Sequence, residues 1–300
     1  MIRVRVPATS ANLGPGFDCM GVALTMYNEV CVEEIERGLE IVVLDDSKRF
    51  LPQDENNYVY AAMQKVFAEA GHSVKGLRLT LNSNIPVTRG LGSSSAGIVS
   101  GLVAANHMIG SPLPKERLLT LATELEGHPD NVAPALYGGF VVSVQDHKRV
   151  YACKNQISER LKFAAMIPNF YLQTKKSRSV LPRYTSYRNA VYNIGHASLL
   201  TAALISGDFD AITAGMRDRL HESYRLPYIK GGECIMKNAI RSGALGTYVS
   251  GAGPTIISVI DRNYNGFETS MNNLIRTRLN NWSFKLFSVD NGGAKIMEEN

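Results

Sequence analysis

Pro86-Val87-Thr88-Arg89-Gly90-Leu91-Gly92-Ser93-Ser94-Ser95-Ala96 is the stretch on which the reading of this chain turns. Gly90 and Gly92 lack the Cβ atoms that would hold a backbone away from a bulky anion, and three hydroxyls follow at once. Residues 96–105 are small and apolar and read as a helix. A glycine loop that feeds a helix N-terminus leaves backbone N–H groups unpaired beside the positive end of the helix dipole. Such an arrangement is a phosphate cradle. Ser94 or Ser95 could hold Mg²⁺ against the phosphates, because that ion prefers hard oxygen ligands. The bland alternative is an ordinary loop ended by a serine N-cap. The pattern matches neither the Walker A loop, which needs Gly-Lys-Ser/Thr, nor the Rossmann fingerprint.

Upstream, residues 77–81 alternate as a strand, and a helix over 58–70 closes at Gly71 in the usual position after a helix end. Residues 39–44 and 29–32 also read as strands. Ile2, Val4 and Val6 share one face of an opening strand that Pro7 should stop. Turn chemistry runs from Thr9 to Asp18 around Gly14-Pro15-Gly16. Asn12 and Asp18 bracket it, each an Asx-turn or a free polar group. The first third is thus mostly strands with two helices, which predicts α+β rather than a doubly wound parallel sheet.

Downstream, Ser111-Pro112-Leu113-Pro114 breaks the helix and a second one spans 115–126, closed by Gly127. Glu124 and Glu126 sit in its last turn, where the negative dipole end disfavours a carboxylate by up to about 1 kcal/mol. A cation opposite one of them, the same magnesium, would explain that. In His128-Pro129-Asp130-Asn131, Asp130 or Asn131 could cap a short helical turn containing Pro134, and His128 could be a packed core residue. A strand over 141–144 follows. The second half begins with a strand over 163–168. It continues with a basic stretch over 174–182 that reads as solvated, and with helices over 191–206, 209–224, 233–242 and 267–279. Two strands flank Gly251-Ala252-Gly253, and a last one covers 284–289. The change of character places a boundary near residue 155, giving units 1–155 and 156–300.

Lys and Arg are spread along the chain despite a net charge of +5, so no stretch tracks a nucleic-acid backbone. The four cysteines show no metal-ligand spacing. No run reaches the roughly 18 apolar residues of a membrane span, and the N-terminus lacks a signal-peptide core. The expectation is a soluble cytoplasmic protein.

Four blocks together resemble the GHMP small-molecule kinases: residues 4–18, residues 86–96, Glu124 through Gly139, and Ser250-Gly251-Ala252-Gly253-Pro254. The first is similar to the branch that phosphorylates homoserine. The resemblance implies an N-terminal domain like ribosomal protein S5 domain 2 and a ferredoxin-like C-terminal domain, with the active site between them. It implies that the loop from Pro86 to Ala96 holds ATP, that Asn57 contacts adenine, and that Ser94 and Glu124 hold Mg²⁺. Asn12, Asp18, His128, Thr174, Arg178 and Arg225 would surround L-homoserine, the arginines clamping its carboxylate through their planar forks. Asp18, Asp130 and Asn131 are the implied candidates for catalysis, with the proton acceptor left open. A homodimer is a further expectation of the resemblance alone.

Overall fold

The computed structural model describes residues 1–297; residues 298–300, the end of the second expected unit, lie outside the described residues. The chain builds two sheets. The first holds β1 (Ile2–Asn12), β2 (Gly16–Glu34), β3 (Gly38–Val43), β4 (Gly76–Ser83), β5 (Phe140–Asp146) and β6 (Arg149–Asn155). Its helices are α1 (Tyr58–Glu69), α2 (Ser93–Met108), α3 (Lys115–Glu126) and α4 (Pro129–Tyr137). The second sheet takes β7 (Leu161–Pro168), β8 (Gly246–Val249), β9 (Ile256–Asp261) and β10 (Trp282–Phe287), in the order β10-β7-β9-β8. With it come α5 (Thr174–Ser179), α6 (Tyr187–Ser206), α7 (Phe209–Gly215), α8 (Glu222–Arg225), α9 (Gly232–Arg241) and α10 (Phe267–Arg278). The chain then returns to the first sheet, where β11 (Lys295–Met297) pairs with β1. The α+β expectation holds, since among the described residues nearly all strand pairs are antiparallel and only β3 and β4 run parallel.

Alternation explains how the second sheet is buried. Phe163, Ala165 and Ile167 of β7 join the core shared with the first sheet, while Ala164 and Met166 face the core under α9 and α10. Successive side chains point to opposite faces, so a strand covered on both sides is apolar throughout. Helix ends follow local chemistry. Beyond α1, Gly71 (φ +63°) donates its N–H to the Ala68 carbonyl and His72 donates to Phe67, the reciprocal pair of a Schellman ending.

Several expectations change. Pro7 does not stop β1, because it lies at a bulge between Pro7 and Ala8, where a missing N–H costs no ladder bond. The turn after β1 shrinks to Leu13–Pro15, with Thr9–Asn12 and Gly16–Asp18 in strands. The helix expected over 209–224 ends at Gly215. Asp218 accepts the N–H groups of Leu220, His221 and Glu222, an arrangement that competes with helix continuation. β6 and β11 were not foreseen: β6 is mostly exposed and lacks an apolar stripe, and β11 is a three-residue edge. Among the described residues, no helix is long and apolar enough to cross a membrane.

Candidate active site

The glycine loop is bound to the rest of the protein through its carbonyls. Thr88 O accepts from Leu172 N (3.4 Å), Arg89 O from Thr255 N (3.3 Å), and Leu91 O from Thr9 N (3.1 Å). Gly90 O accepts from the Ser250 hydroxyl (2.5 Å). With the carbonyls held inward, the amides turn the other way. Among the described residues, the backbone N–H groups of Gly90 through Ser95 meet no protein acceptor, and the first helical bond runs from Ala96 N to Gly92 O (2.8 Å). These bare donors stand at the positive end of α2, a helix of 16 residues, and fit an anion.

The glycines serve a different contact from the one expected. Gly90 (φ +76°) and Gly92 (φ +71°) both adopt the left-handed region. A Cβ on Gly90 would strike the carbonyl oxygens of Ser250 and Gly253, and one on Gly92 would strike Thr9 Oγ1. The close approach is therefore loop to chain, and it is what aims the amides outward. Val87, Thr88, Arg89, Gly90, Gly92, Ser93 and Ser94 line a cleft of about 250 Å³. Leu91 and Ala96 are buried in the core, and Pro86 lines a neighbouring depression with Asp45, so these three do not face it. Arg89 spends its guanidinium on Pro168 O and Asn169 O (both 2.9 Å), bracing the loop against the strand end of β7.

The carboxylate that meets the loop is Glu126, not Glu124. Ser94 Oγ donates to Glu126 Oε2 and Ser95 Oγ to Oε1, each at 3.0 Å. Residues two apart point roughly 200° from each other around a helix, so only one of the pair can face the cleft. Glu124 faces outward to Lys65 (4.0 Å) and Arg117 (3.8 Å). Asn57 is not among the residues that line the cleft. Its side chain is fully buried as the N-cap of α1, accepting from Val59 N (2.9 Å) and donating to Pro52 O (2.7 Å). Both ends of the amide are in use, and the apolar end of the cleft is formed instead by Phe50, Leu51, Val87 and Leu172 beside Tyr58.

At the other end, ionic side chains from both halves converge. Asn12 (φ +75°) donates to Gly251 O (2.9 Å) and accepts from Asp18 N (3.1 Å). Asp18 (φ +58°) receives both Arg178 Nη groups, at 3.0 and 2.6 Å. The basic stretch is therefore not merely solvated: α5 turns Thr174 and Arg178, one helical turn apart, into the cleft, and Ser177 Oγ donates to Ala252 O (2.7 Å). Arg225 is 2% exposed. Burial, followed by repulsion from Arg178, lowers its pKa to about 10. The two guanidinium carbons lie 5.6 and 5.1 Å from the centre of the Phe17 ring.

His128 is the residue before α4 and lies in the cleft, with Nδ1 2.6 Å from Asp130 Oδ1. It is not a sealed core histidine, and Asp130, turned toward the imidazole, does not cap the helix. Asn131 accepts from Thr9 Oγ1 (2.9 Å) and donates to Asp130 (3.3 Å). Burial favours the neutral ring of His128, but the hydrogen bond and charge of Asp130 outweigh it and raise the pKa. His221, which the sequence reading passed over, stacks on Phe17 (centroids 5.1 Å apart) behind Arg225. Only its spacing of four from Arg225 on one helical face could have flagged it.

A bare-amide loop at a helix start, in a cleft that also takes Arg178 of α5 and Arg225 of α8, defines the class. Residues 57–139 match the GHMP kinases N terminal domain. Over 99% of this chain and 97% of its own length, the homoserine kinase of Caldicellulosiruptor bescii is 46% identical; that of Clostridium botulinum ATCC 19397 is 44% identical over 99% and 98%. A crystal structure of homoserine kinase from Cytophaga hutchinsonii superimposes with a TM-score of 0.89 at 30% identity, covering 99% of this chain and 97% of that one. The chain belongs to the homoserine kinase family of the GHMP kinases.

Proposed function

We propose that this protein transfers the γ-phosphoryl group of ATP to the side-chain hydroxyl of L-homoserine, giving O-phospho-L-homoserine, a step of threonine biosynthesis. The observation that carries the substrate assignment is the Asp18–Arg178 ion pair with Arg225 beside it, in the same cleft as the bare amides. An amino acid brings an ammonium for Asp18 and a carboxylate for Arg178 and Arg225, so each charge in the pair exchanges one partner for another. An acceptor with a carboxylate alone would take Arg178 from Asp18 and leave that acid unpaired, which is costly in a partly desolvated cleft. Asn12 and Thr174 complete the wall around the amino acid. In this reading residues 1–155 hold the nucleotide, and 156–300 supply the two arginines.

Phosphoryl transfer depends on alignment and charge neutralisation more than on a strong base. The amides of Gly90 through Ser95 hold the triphosphate, and the base occupies the apolar end at Phe50 and Leu51. Hard oxygens from Ser94 and Glu126 beside those amides fit Mg²⁺, which when bound neutralises phosphate charge. As the homoserine oxygen bonds to the γ-phosphorus and the bond to the ADP oxygen breaks, the hydroxyl proton passes to His128. Asp130 holds Nδ1–H of that ring, which leaves Nε2 as the acceptor; Asn131 steadies Asp130.

Two measurements test this. ADP release at fixed Mg·ATP should be fast with homoserine and at least 10-fold slower with serine, threonine, shikimate and mevalonate; equal or faster turnover of shikimate or mevalonate overturns the assignment. For the proton, kcat/KM should fall as pH drops through a pKa above 6.5, the ordinary value that Asp130 raises. His128→Asn should flatten that acidic limb. An unchanged limb in the variant removes His128 as acceptor.

A further inference from the structure

Arg225 is held at every guanidinium nitrogen but one. Its Nε donates to Ser177 O (3.4 Å), and its Nη1 donates to Gly251 O (2.8 Å) and lies 3.2 Å from His221 Nδ1. An arginine cannot accept, so Nδ1 must be the unprotonated nitrogen. The other ring nitrogen completes the assignment: His221 Nε2 lies 2.8 Å from Gly14 O, an acceptor, and so carries the hydrogen. The ring is fully buried, and burial lowers its pKa, consistent with a neutral Nε2–H tautomer.

The two partners of that ring come from segments far apart in the sequence. Gly14 lies in the turn joining Asn12 to Asp18, and Arg225 is the buried cation of the clamp. Asn193 ties the same turn to the segment carrying His221, donating to Pro15 O (3.2 Å) and Asp218 Oδ1 (2.8 Å). Asp218 in turn accepts the N–H groups of His221 and Glu222, both at 2.8 Å. The imidazole is thus a strut between the turn that leads into the strand of Asp18 and the buried Arg225.

We propose that His221 is a positioning residue that fixes the orientation of Arg225 and its distance from the Asp18 turn, matching the site to an acceptor bearing adjacent ammonium and carboxylate groups. The inference rests on the homoserine reading and acts wholly through Arg225. The amide of glutamine reaches the place of Nε2 and keeps the bond to Gly14 but loses the acceptor for Arg225. Asparagine places its oxygen near Nδ1 and keeps that acceptor.

Steady-state kinetics of the full chain should show the homoserine KM of His221→Gln raised about tenfold, the scale for one lost hydrogen bond to a charged group. The ATP KM should stay within about twofold, and His221→Asn should recover most of the loss. In an Arg225→Ala background, His221→Gln should add less than about twofold, because its route is gone. The same tenfold factor in that background, or parallel rises in both KM values, overturns the proposal. If the variants do not fold, ¹⁵N NMR of the wild-type protein decides: an Nε2–H neutral ring at His221 supports it, and an Nδ1–H or cationic ring overturns it. Failure of the homoserine reading is seen separately, as wild-type protein that does not turn homoserine over.

Discussion

Glu126→Gln should lower kcat by roughly 10²–10³-fold, the scale for losing one preorganised charge at the site, here the carboxylate that would hold Mg²⁺ against the transferring group, while Glu124→Gln stays within about twofold of wild type. The contrast follows from helix phase. Glu126 receives both loop hydroxyls at 3.0 Å, whereas Glu124 sits in an exposed pair with Lys65 and Arg117, and such pairs contribute little. The glutamine keeps the shape and an acceptor oxygen but removes the charge that would bind Mg²⁺. Steady-state turnover at saturating Mg·ATP and homoserine reads the effect. Equal losses in the two variants, or a loss confined to Glu124→Gln, would mean that the bonds from Ser94 and Ser95 do not mark the carboxylate that matters.

Gly90→Ala should weaken ADP binding by roughly 10²-fold or more and lower the melting temperature by about 5–10 °C. A left-handed φ costs an alanine about 1–2 kcal/mol, and the new methyl meets backbone oxygens of Ser250 and Gly253 that cannot rotate away. Overpacking of this kind adds about 1–3 kcal/mol, and each kcal/mol lowers Tm by about 2–4 °C in a chain of this size. The loop can relieve the clash only by leaving its tethers, and then the amides no longer converge. Losing two hydrogen bonds to a charged phosphate accounts for the affinity. Gly71→Ala is the control: φ is +63° but nothing lies within 4 Å of its Cβ position, so it pays the backbone strain alone and leaves ADP binding unchanged. Calorimetric titration with ADP beside thermal melts separates the two outcomes.

What could be read from the sequence was local. The loop and the closure of α3 by Gly127 are set by neighbours along the chain, and both were legible, whereas α2 starts at Ser93, three residues before the expected run. The partner of the loop was not, because the dipole argument applies equally to Glu124 and Glu126; which one faces inward depends on how α3 packs. Asn57 shows the same limit. Asparagine before a helix signals a cap as readily as a ligand, and only the structure reveals Pro52 O on its other end. Arg178 and Asp18 are 160 positions apart, and the solvated reading of the basic stretch missed their pairing because nothing within the stretch announces a distant acid. The glycine pattern pointed to the loop whose amides are bare, but for an incomplete reason, since the glycines' contacts at Thr9 and at 250–253 are also long-range.

The central claim is that the amides of residues 90–95 grip the triphosphate, and amide hydrogen exchange of the intact chain tests it most directly. Without ligand these N–H groups should exchange fast for a helix start, since no protein acceptor covers them. Mg·AMP-PNP should slow exchange in peptides spanning 88–96, and adenosine or homoserine alone should leave them unchanged. Protection that appears elsewhere with the nucleotide but not in these peptides, or appears equally with adenosine, would contradict the account.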